Sequence, residues 1–328
     1  MNRVIQVKRF GGADELKVVT TEVGDPGPGQ IRIRHKAIGL NFTDVYMRSG
    51  VHPVKFDLPL QLGMEAAGVV EAVGSGVEHL RVGDRAAYAT HPPGSYCDAR
   101  VMEAQNVCRL PDEISFETAA AMMLKGLTAQ YLLKQSLPVG GLHAGDFVLF
   151  HAAAGGVGLI VCQWARELGL RLIATAGTDE KCRLATENGA EFAINYKTEQ
   201  FTDRVREITE GRGVKVAYDA VGKDTVEGSL ACLQRFGLMI SFGSASGPPP
   251  PLSIPSLGSN SAYVTRQLVF SFLTSRDATQ AMADDVFAVV ASGKVKVHIA
   301  QRYRLEDVAK AHTALEARQT TGSTILTV

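Results

Sequence analysis

The chain has 328 residues, with 34 lysines and arginines balanced by 34 aspartates and glutamates. A net charge of zero argues against a protein built mainly to bind nucleic acid and against a polybasic membrane-surface protein. Hydrophobic residues make up 45% and charged residues 21% of the sequence, values that exclude extensive disorder. The length favours one large domain or two ordinary ones.

The first 124 residues are predicted to be mostly β-structure. Short segments rich in β-branched or small residues, such as Ile31–Ala37, Ala66–Val73 and Arg85–Ala89, are separated by clusters of glycine and proline. Short strands at such close spacing are typical of a compact barrel or sandwich. The sequence therefore predicts a β-rich domain at this end of the chain.

From about Ser115 the pattern changes to apolar runs that alternate with helical stretches, which indicates βαβ units. The predicted strands are Phe147–Ala153, Arg171–Ala176, Phe192–Tyr196, Val214–Ala220 and Leu238–Phe242, and the predicted helices are Val157–Leu168, Glu180–Asn188 and Thr225–Leu233. Five parallel strands joined by right-handed crossovers form an open, doubly wound sheet of the Rossmann type.

Four consecutive prolines, Pro248–Pro251, interrupt this pattern and are interpreted as a stiff surface loop. The elements predicted after them are the strand Val264–Leu273, the helices Ala278–Ser292 and Leu305–Arg318, and the strand Ser323–Val328. We expect residues 1–124 and 268–328 to form one domain, with a nucleotide-binding domain, residues 125–267, inserted between them.

The strongest motif is the run FVLFHAAAGGVG at residues 147–158. Compared with the pattern G-x-G-x-x-G, its three key positions are Ala153, Gly155 and Gly158, and the intervening Gly156 and Val157 are also predicted to contact the cofactor. The first position is alanine instead of glycine, but Gly155 would still let the backbone approach a pyrophosphate, and Gly158 would let the helix pack close to the strand. Because the run follows a strand and opens a helix, it predicts a dinucleotide site at the helix N-terminus rather than an ordinary tight turn.

The end of the second strand distinguishes the two nicotinamide cofactors. NAD sites usually carry a carboxylate there, about 20 residues after the glycines, to hold the ribose 2′-hydroxyl. Ala176 and Gly177 occupy this place, Lys181 lies just beyond as a point charge suited to phosphate, and Tyr196 ends the third strand at the same edge. We therefore predict NADP(H) over NAD(H), with the alternative that Lys181 is only a solvated helix lysine.

Motifs along the whole chain occur in a characteristic order. They are Gly39–Asp44 (GLNFTD), Gly63–Gly68 (GMEAAG), Val82–Arg85 (VGDR), Leu124–Ala129 (LKGLTA), Ala152–Gly158, Asn195–Tyr196, Tyr218–Gly222 (YDAVG), Gly237–Gly243 and Glu316–Arg318. With these motifs the chain resembles the medium-chain dehydrogenase/reductase superfamily, and in particular its zinc-free quinone oxidoreductase branch, which includes the zeta-crystallins. The resemblance implies a mostly β, GroES-like catalytic domain that carries an inserted Rossmann-type domain.

The resemblance also indicates which metal sites this chain lacks. In zinc alcohol dehydrogenases a cysteine stands at the position of Asn41 and a histidine at that of Met64, and an amide and a thioether are poor zinc ligands. Only Cys97 and Cys108 lie between residues 85 and 125, too few for the four-cysteine structural site. We therefore expect no metal and no metal-assisted alcohol oxidation.

Without a metal, hydride donation to a quinone requires mainly that both reactants are bound and aligned, because aromatisation drives the step. By the family likeness, Asn41 and Tyr46 would line the nicotinamide and substrate pocket, and Thr128 would lie near the nicotinamide ribose. The alternatives are a turn residue for Asn41, a packed helix residue for Tyr46 and a threonine bonded to its own helix for Thr128. Glu65 is interpreted as a structural carboxylate.

Further residues are placed near the cofactor by the likeness or by the sheet. Arg318 would reach the 2′-phosphate from the C-terminal helix, the alternative being an exposed cation at a helix end. Ser241, Phe242 and Ser244 lie at the carboxyl end of the fifth strand and border the crevice in which open α/β sheets bind ligands. We expect His151 to be a packed core residue rather than a base.

These observations predict a cytosolic, zinc-independent, NADPH-dependent quinone reductase that dimerises through the edge strand of its Rossmann-type domain. The alternatives are an NADPH-dependent enal or enone reductase and a non-catalytic, crystallin-like protein that binds NADPH or nucleic acid; zero net charge disfavours the nucleic-acid version. The five cysteines include no C-x-x-C pair and the N-terminus does not resemble a signal peptide, so a reducing compartment is expected. No apolar stretch approaches ~18 residues, so no membrane span is expected.

Overall fold

A computed structural model describes all 328 residues. The strands are β1 (Asn2–Val7), β2 (Lys17–Thr21), β3 (Gln30–Leu40), β4 (Leu60–Gln61), β5 (Glu65–Val73), β6 (Arg85–Ala89), β7 (Ala99–Glu103), β8 (Val107–Arg109), β9 (Phe147–Phe150), β10 (Arg171–Ala176), β11 (Phe192–Asn195), β12 (Val214–Asp219), β13 (Leu233–Ser241), β14 (Tyr263–Arg266), β15 (Ile299–Arg304) and β16 (Ser323–Thr327). The α-helices are α1 (Phe42–Ser49), α2 (Phe116–Lys134), α3 (Gly156–Glu167), α4 (Asp179–Glu187), α5 (Phe201–Ile208), α6 (Val226–Ala231), α7 (Arg276–Ala291) and α8 (Val308–Glu316). The chain divides into two compact units, the first formed by residues 1–127, 272–291 and 297–328 and the second by residues 128–271 and 292–296.

The first unit is built on two sheets. One has the strand order β2-β1-β4, and the other has the order β15-β16-β3-β5-β6-β8, with β7 paired to β3. The long strand β3 runs antiparallel to β5 and aligns Gly39 with Glu65. Its side chains alternate between the two faces, so that Ile31 and Ile33 are fully buried. The predicted β-rich domain is confirmed.

The second unit contains one parallel sheet with the strand order β11-β10-β9-β12-β13-β14. Within this sheet, the first strand in sequence is the central strand β9, and the next two, β10 and β11, lie outward on one side of it. The chain then crosses to β12 on the other side of β9 and continues outward through β13 and β14. This is the doubly wound order of dinucleotide-binding sheets, in which ligands bind at the carboxyl ends of the strands where the direction of winding changes. The predicted Rossmann-type sheet is confirmed, and β14, which overlaps the separately predicted strand Val264–Leu273, is its sixth strand.

Several predicted boundaries are wrong. The strand predicted to run to Ala153 ends at Phe150, because Ala152 adopts the left-handed conformation with φ of 57° and starts a turn. The strand predicted as Val264–Leu273 is paired only over Tyr263–Arg266, and a 3-10 turn follows at Val269–Ser271. An uninterrupted apolar run does not by itself distinguish a strand from other buried structure.

The remaining differences lie at the ends of predicted elements and in elements for which no bounds were predicted. β13 begins five residues before the predicted Leu238, and the predicted helix Leu305–Arg318 is a 3-10 turn at Leu305–Asp307 followed by α8. No bounds were predicted for the helices α1, α2 and α5 or for the strands β1, β2, β4, β7, β8 and β15. No helix combines the length and the hydropathy that a membrane span requires.

Candidate active site

The turn between β9 and α3 carries the glycine motif of the second unit. The Ala153 N–H donates to the Thr175 carbonyl oxygen at 3.1 Å, which ties the turn to the neighbouring strand β10. A Cβ atom on Gly158 would lie 2.4 Å from the Ala153 carbonyl oxygen, far inside van der Waals contact. Gly158 is therefore required for the close approach of α3 to the turn.

Gly155 is a different kind of glycine. It caps α3 with an ordinary φ of −82°, and an added Cβ would meet only the Ala152 carbonyl oxygen, at 3.3 Å. Protein contacts alone therefore do not demand glycine here, whereas close approach of a phosphate to the backbone would demand it. Gly156 and Val157 form the first turn of the twelve-residue helix α3, whose N–H groups attract an anion.

The end of β10 is small and uncharged. Ala176 is buried, and a Cβ on the adjacent Gly177 would lie 2.6 Å from the Tyr196 hydroxyl. This brings together two of the residues predicted for the 2′-phosphate, and the Tyr196 side chain remains partly exposed. Lys181 is half-buried in the first turn of α4, where its N–H donates to the capping Thr178 Oγ1 at 3.2 Å.

A carboxylate does occur on α4, at Asp179. Its Oδ1 accepts a hydrogen bond from Asn195 Nδ2 at 2.7 Å, which ties it to the end of β11. Asp179 therefore has a local structural partner. The last residue of β10, where NAD sites usually carry a carboxylate, is Ala176. Small residues, a hydroxyl and a lysine together fit a phosphorylated ribose better than a free 2′-hydroxyl.

An arginine that the sequence analysis missed lies at the carboxyl end of β14. Arg266 Nη1 donates to Ser241 Oγ at 2.9 Å, and its Nη2 is 3.5 Å from Ser244 Oγ. Phe242 lies between the two serines in sequence, with its ring centroid 5.7 Å from that of Phe150. The only signal for Arg266 in the sequence is that a basic residue lies in a strand predicted for the edge of the sheet.

His151 belongs to a buried hydrogen-bond chain directly before the glycine motif. Its Nδ1 is 2.8 Å from Thr175 Oγ1 and its Nε2 is 2.9 Å from Ser229 Oγ, which donates to Asp219 Oδ2 at 2.8 Å. Because Ser229 gives its proton to Asp219, it must accept from Nε2–H, so Thr175 donates to Nδ1. Burial lowers the pKa of His151 to about 4, and the ring is neutral at pH 7.

Asn41 stands at the N-terminus of α1 in the first unit and is 8% exposed. Its N–H donates to Asp44 Oδ2 at 2.9 Å, and its side-chain Nδ2 donates to Glu65 Oε1 at 2.8 Å. The amide is therefore held by a carboxylate on β5 and does not act only as a turn residue.

Glu65 is fully buried and accepts three hydrogen bonds. The donors are Asn41 Nδ2, the Leu124 N–H at 2.6 Å and Lys125 Nζ at 2.6 Å. Gly39 makes room for this carboxylate, since a Cβ there would lie 2.3 Å from Glu65 Oε1. Lys125 was quoted in a motif of the sequence but was not assigned a role, because its partner lies 60 residues away along the chain.

Asp44 is a second buried carboxyl group that the sequence analysis did not single out. Its Oδ2 accepts from the Asn41 N–H and from the Tyr96 hydroxyl at 2.8 Å, while its Oδ1 has no hydrogen-bond partner. Burial raises the pKa of Asp44 to about 7. The network continues from Tyr96 to His312, whose pKa burial lowers to about 3.

The other predicted site residues lie in three places. Tyr46 is half-buried on α1, with its ring centroid 5.2 Å from that of Phe42. Thr128 is half-buried within α2 and is the first residue of the second unit. Arg318 belongs to the first unit and lies exposed beyond the end of α8, with φ of 57°, instead of on the helix as predicted.

The structure contains no group of three histidine, cysteine, aspartate or glutamate side chains that could hold a metal ion. Met64, at the position of a zinc-binding histidine in the dehydrogenases, is fully buried.

Two family models match the chain. Residues 27–142 match the alcohol dehydrogenase GroES-like domain, and residues 156–288 match the zinc-binding dehydrogenase domain.

Three known proteins are similar along essentially their whole length. The chain is 48% identical to the quinone oxidoreductase of Pseudomonas aeruginosa over 99% of both chains. The crystal structure of Escherichia coli quinone oxidoreductase complexed with NADPH is 45% identical, with a TM-score of 0.96 and complete coverage of both chains. The 2-haloacrylate reductase of a Burkholderia species is 40% identical over 98% of this chain and 97% of its own.

Proposed function

This chain belongs to the quinone oxidoreductases of the medium-chain dehydrogenase/reductase superfamily, and we propose that it reduces small quinones with NADPH and without a metal. The domain that binds NADPH comprises residues 125–267, and residues 1–124 and 268–328 form the catalytic domain. The E. coli relative that was solved with NADPH supports the choice of cofactor.

The observation that carries the proposal is the small, uncharged end of β10. Ala176 presents no carboxylate that would repel a 2′-phosphate, and Gly177 leaves open the space beside the Tyr196 hydroxyl. Tyr196 donates to the 2′-phosphate, and the side chains of Lys181 and Arg318 supply positive charge to it. Bound NADPH supplies the hydride.

The glycine turn binds the pyrophosphate. Ala153 and Gly155 let the phosphates approach the backbone, and the N–H groups of Gly156, Val157 and Gly158 point toward them from the start of α3. Ser241, Phe242 and Ser244 contact the cofactor where the sheet changes its direction of winding.

Three residues align the reacting groups. Asn41 presents its amide oxygen to the nicotinamide ribose or the acceptor while Glu65 holds its amino group. Tyr46 orients a quinone oxygen, and Thr128 contacts the nicotinamide ribose. Their contribution is correct placement of two reactants, which replaces a bimolecular encounter by an intramolecular step.

The test is oxidation of NADPH by purified, chelator-treated protein with a small quinone and a simple enone as parallel acceptors and NADH as the paired cofactor. We expect quinone turnover with NADPH preferred. Lys181→Ala should raise the KM for NADPH by about tenfold through loss of a charge-assisted bond, with the KM for NADH unchanged. Lys215→Ala, which removes a lysine paired with Asp146, is the matched control and should behave as wild type.

A second candidate function is reduction of an activated carbon–carbon double bond. It is favoured by the 40% identity to a 2-haloacrylate reductase, since a haloacrylate carries such a bond. Turnover of the enone alone would support this function and leave the cofactor assignment intact. Binding of NADPH without turnover of either acceptor would support a non-catalytic, crystallin-like role.

We also propose that the protein is a homodimer in which the β14 strands of the two copies pair with each other. This strand is one of the two edges of the second unit's sheet, the other being β11, and an edge strand presents backbone groups that can pair with another strand. Tyr263 on β14 is 46% exposed, and Ile254 in the preceding segment is 80% exposed. Light scattering should give twice the chain mass for wild type and the single mass for Tyr263→Asp.

A further inference from the structure

A buried ammonium group lies beside Asn41. The Lys125 side chain is 7% exposed, and its Nζ donates to Glu65 Oε1 at 2.6 Å. The same oxygen accepts from Asn41 Nδ2 at 2.8 Å. Two donors that share one acceptor oxygen are neighbours, so the Lys125 charge lies next to the amide assigned to the nicotinamide and substrate pocket.

The hydrogen bonds of this ammonium are incomplete. A lysine ammonium has three N–H bonds to donate, and the structure gives Lys125 one acceptor, Glu65 Oε1. By contrast, the buried Arg48 donates to the Gly11 carbonyl and to both carboxylate oxygens of Glu316. Buried polar groups are normally satisfied, so the unfilled N–H bonds of Lys125 indicate an oxygen that the protein itself does not supply.

The carboxylate that binds the ammonium is itself held by two other donors. Glu65 accepts hydrogen bonds from the Leu124 N–H and from Asn41 as well as from Lys125. These two further bonds hold the carboxylate in place beside Asn41. Lys125 itself lies within the nineteen-residue helix α2. A donor held rigidly before the reaction stabilises developing charge without reorganisation.

We propose that Lys125 is a catalytic residue that donates a hydrogen bond to the quinone oxygen on which negative charge develops. The proposal rests on the function proposed above. The quinone takes up one hydride and one proton: hydride transfer adds the electron pair and leaves an oxyanion, Lys125 gives that oxygen its proton, and a proton from solvent restores the ammonium. The products are hydroquinone and the oxidised cofactor.

The first experiment measures the site without turnover. 4-Nitrophenol is a planar phenol whose yellow phenolate form reports its own ionisation, and it is titrated with pH on the wild-type protein in the presence of NADP+. A nearby positive charge favours the phenolate, so we expect Lys125→Met to raise the pKa of the bound phenol by about one to two units. Lys125→Arg keeps a positive charge and should bring the pKa of the bound phenol most of the way back to its wild-type value. The control Lys215→Met should give the wild-type pKa.

The second experiment measures hydride transfer from NADPH to a small quinone in a single turnover. Loss of one such donor is expected to lower the rate by about 10²–10³-fold with the NADPH dissociation constant unchanged. Because Lys125→Met leaves the Glu65 carboxylate buried without its cation, the double variant Glu65→Gln/Lys125→Met provides a folded alternative. It should raise the pKa of the bound phenol in the same direction but by less than Lys125→Met does, because the Glu65 charge is removed together with the lysine.

An unchanged pKa of the bound phenol in folded Lys125→Met would overturn the proposal, as would failure of the wild-type protein to bind the phenol at all. If the wild type reduces no quinone but Lys125→Met still raises the phenol pKa, the proposed function fails while the oxyanion site stands. If quinone turnover is normal in both variants, the function stands and Lys125 is only structural.

Discussion

The buried carboxyl group of Asp44 makes the stability of the first unit depend on pH in a predictable direction. Its pKa is raised by burial to about 7 from an ordinary 3.8, and Oδ1, the oxygen without a partner, is free to carry the proton. Between these two values the folded state holds a proton that the unfolded state has lost. The contribution to stability is therefore fully present below about pH 4 and is lost as the pH rises through 7.

The perturbation is Asp44→Asn, which removes the titration and leaves a side chain of similar shape. One pKa unit corresponds to about 1.4 kcal/mol, and integration between about pH 5 and pH 8 gives a loss of about 2.5 kcal/mol for the wild type that the variant does not show. Buried histidines such as His35, whose pKa burial lowers to about 4, add a slope of the opposite sign. They are present in both proteins and cancel in the difference.

The assay is urea denaturation of both proteins at several pH values, followed by far-ultraviolet circular dichroism. Fluorescence is unsuitable because the single tryptophan, Trp164, lies in the second unit. Asp57→Asn removes an exposed carboxyl group and should differ from wild type by the same amount at every pH. If the difference between wild type and Asp44→Asn is equally constant, Asp44 is ionised in the folded protein and the reasoning is refuted.

Three further predictions concern the cofactor and the reaction. Ala176→Asp places a negative charge at the strand end and should weaken NADPH binding by about 10–100-fold without weakening NADH binding, as measured by fluorescence titration; equal loss for both cofactors would exclude charge repulsion. Gly158→Ala should lower the free energy of unfolding by about 1–3 kcal/mol through overpacking, as measured by Trp164 fluorescence during urea denaturation. Gly155→Ala should keep near-normal stability and lose NADPH affinity. Equal stability of the two variants would contradict the contact distances. The wild-type kcat for a quinone should fall as the pH rises above about 7, because ionised Asp44 opposes the developing oxyanion, and Asp44→Asn should abolish this decline; a decline that persists in the variant belongs to another group.

The sequence predicted the layout of the second unit because its signals are local. Each strand is a short apolar run, each helix has its own periodicity, and the glycine turn lies between the two. The failure at Val264–Leu273 has the same origin, since an apolar run carries no period that separates a four-residue strand from the 3-10 turn at Val269–Ser271. The length of the apolar run could not decide between these two structures either.

The polar interior of the first unit could not be predicted in this way. Asn41 and Glu65 were identified from motifs, but their hydrogen bond joins residues 24 positions apart, and Lys125 is 60 positions from Glu65. The Asp44 carboxyl group accepts a hydrogen bond from Tyr96, which lies in a separate loop. A lone aspartate or lysine in a sequence is most often a solvated surface residue, so only the folded arrangement distinguishes these two.

The same residues explain how a site without zinc ligands can still present positive charge. Asn41 and Met64 remove the ligands that would hold a metal, while the buried Glu65 is retained and pairs with Lys125. A metal's position is set by the geometry of its ligands, whereas the position of this ammonium is set by a carboxylate that three donors hold in place. Because Lys125 and Glu65 neutralise each other and Asp44 is protonated below about pH 7, the cluster carries no net negative charge to oppose an oxyanion. If Lys125 donates to the oxyanion as proposed above, we expect the reaction to depend on keeping Asp44 protonated as well as on keeping Lys125.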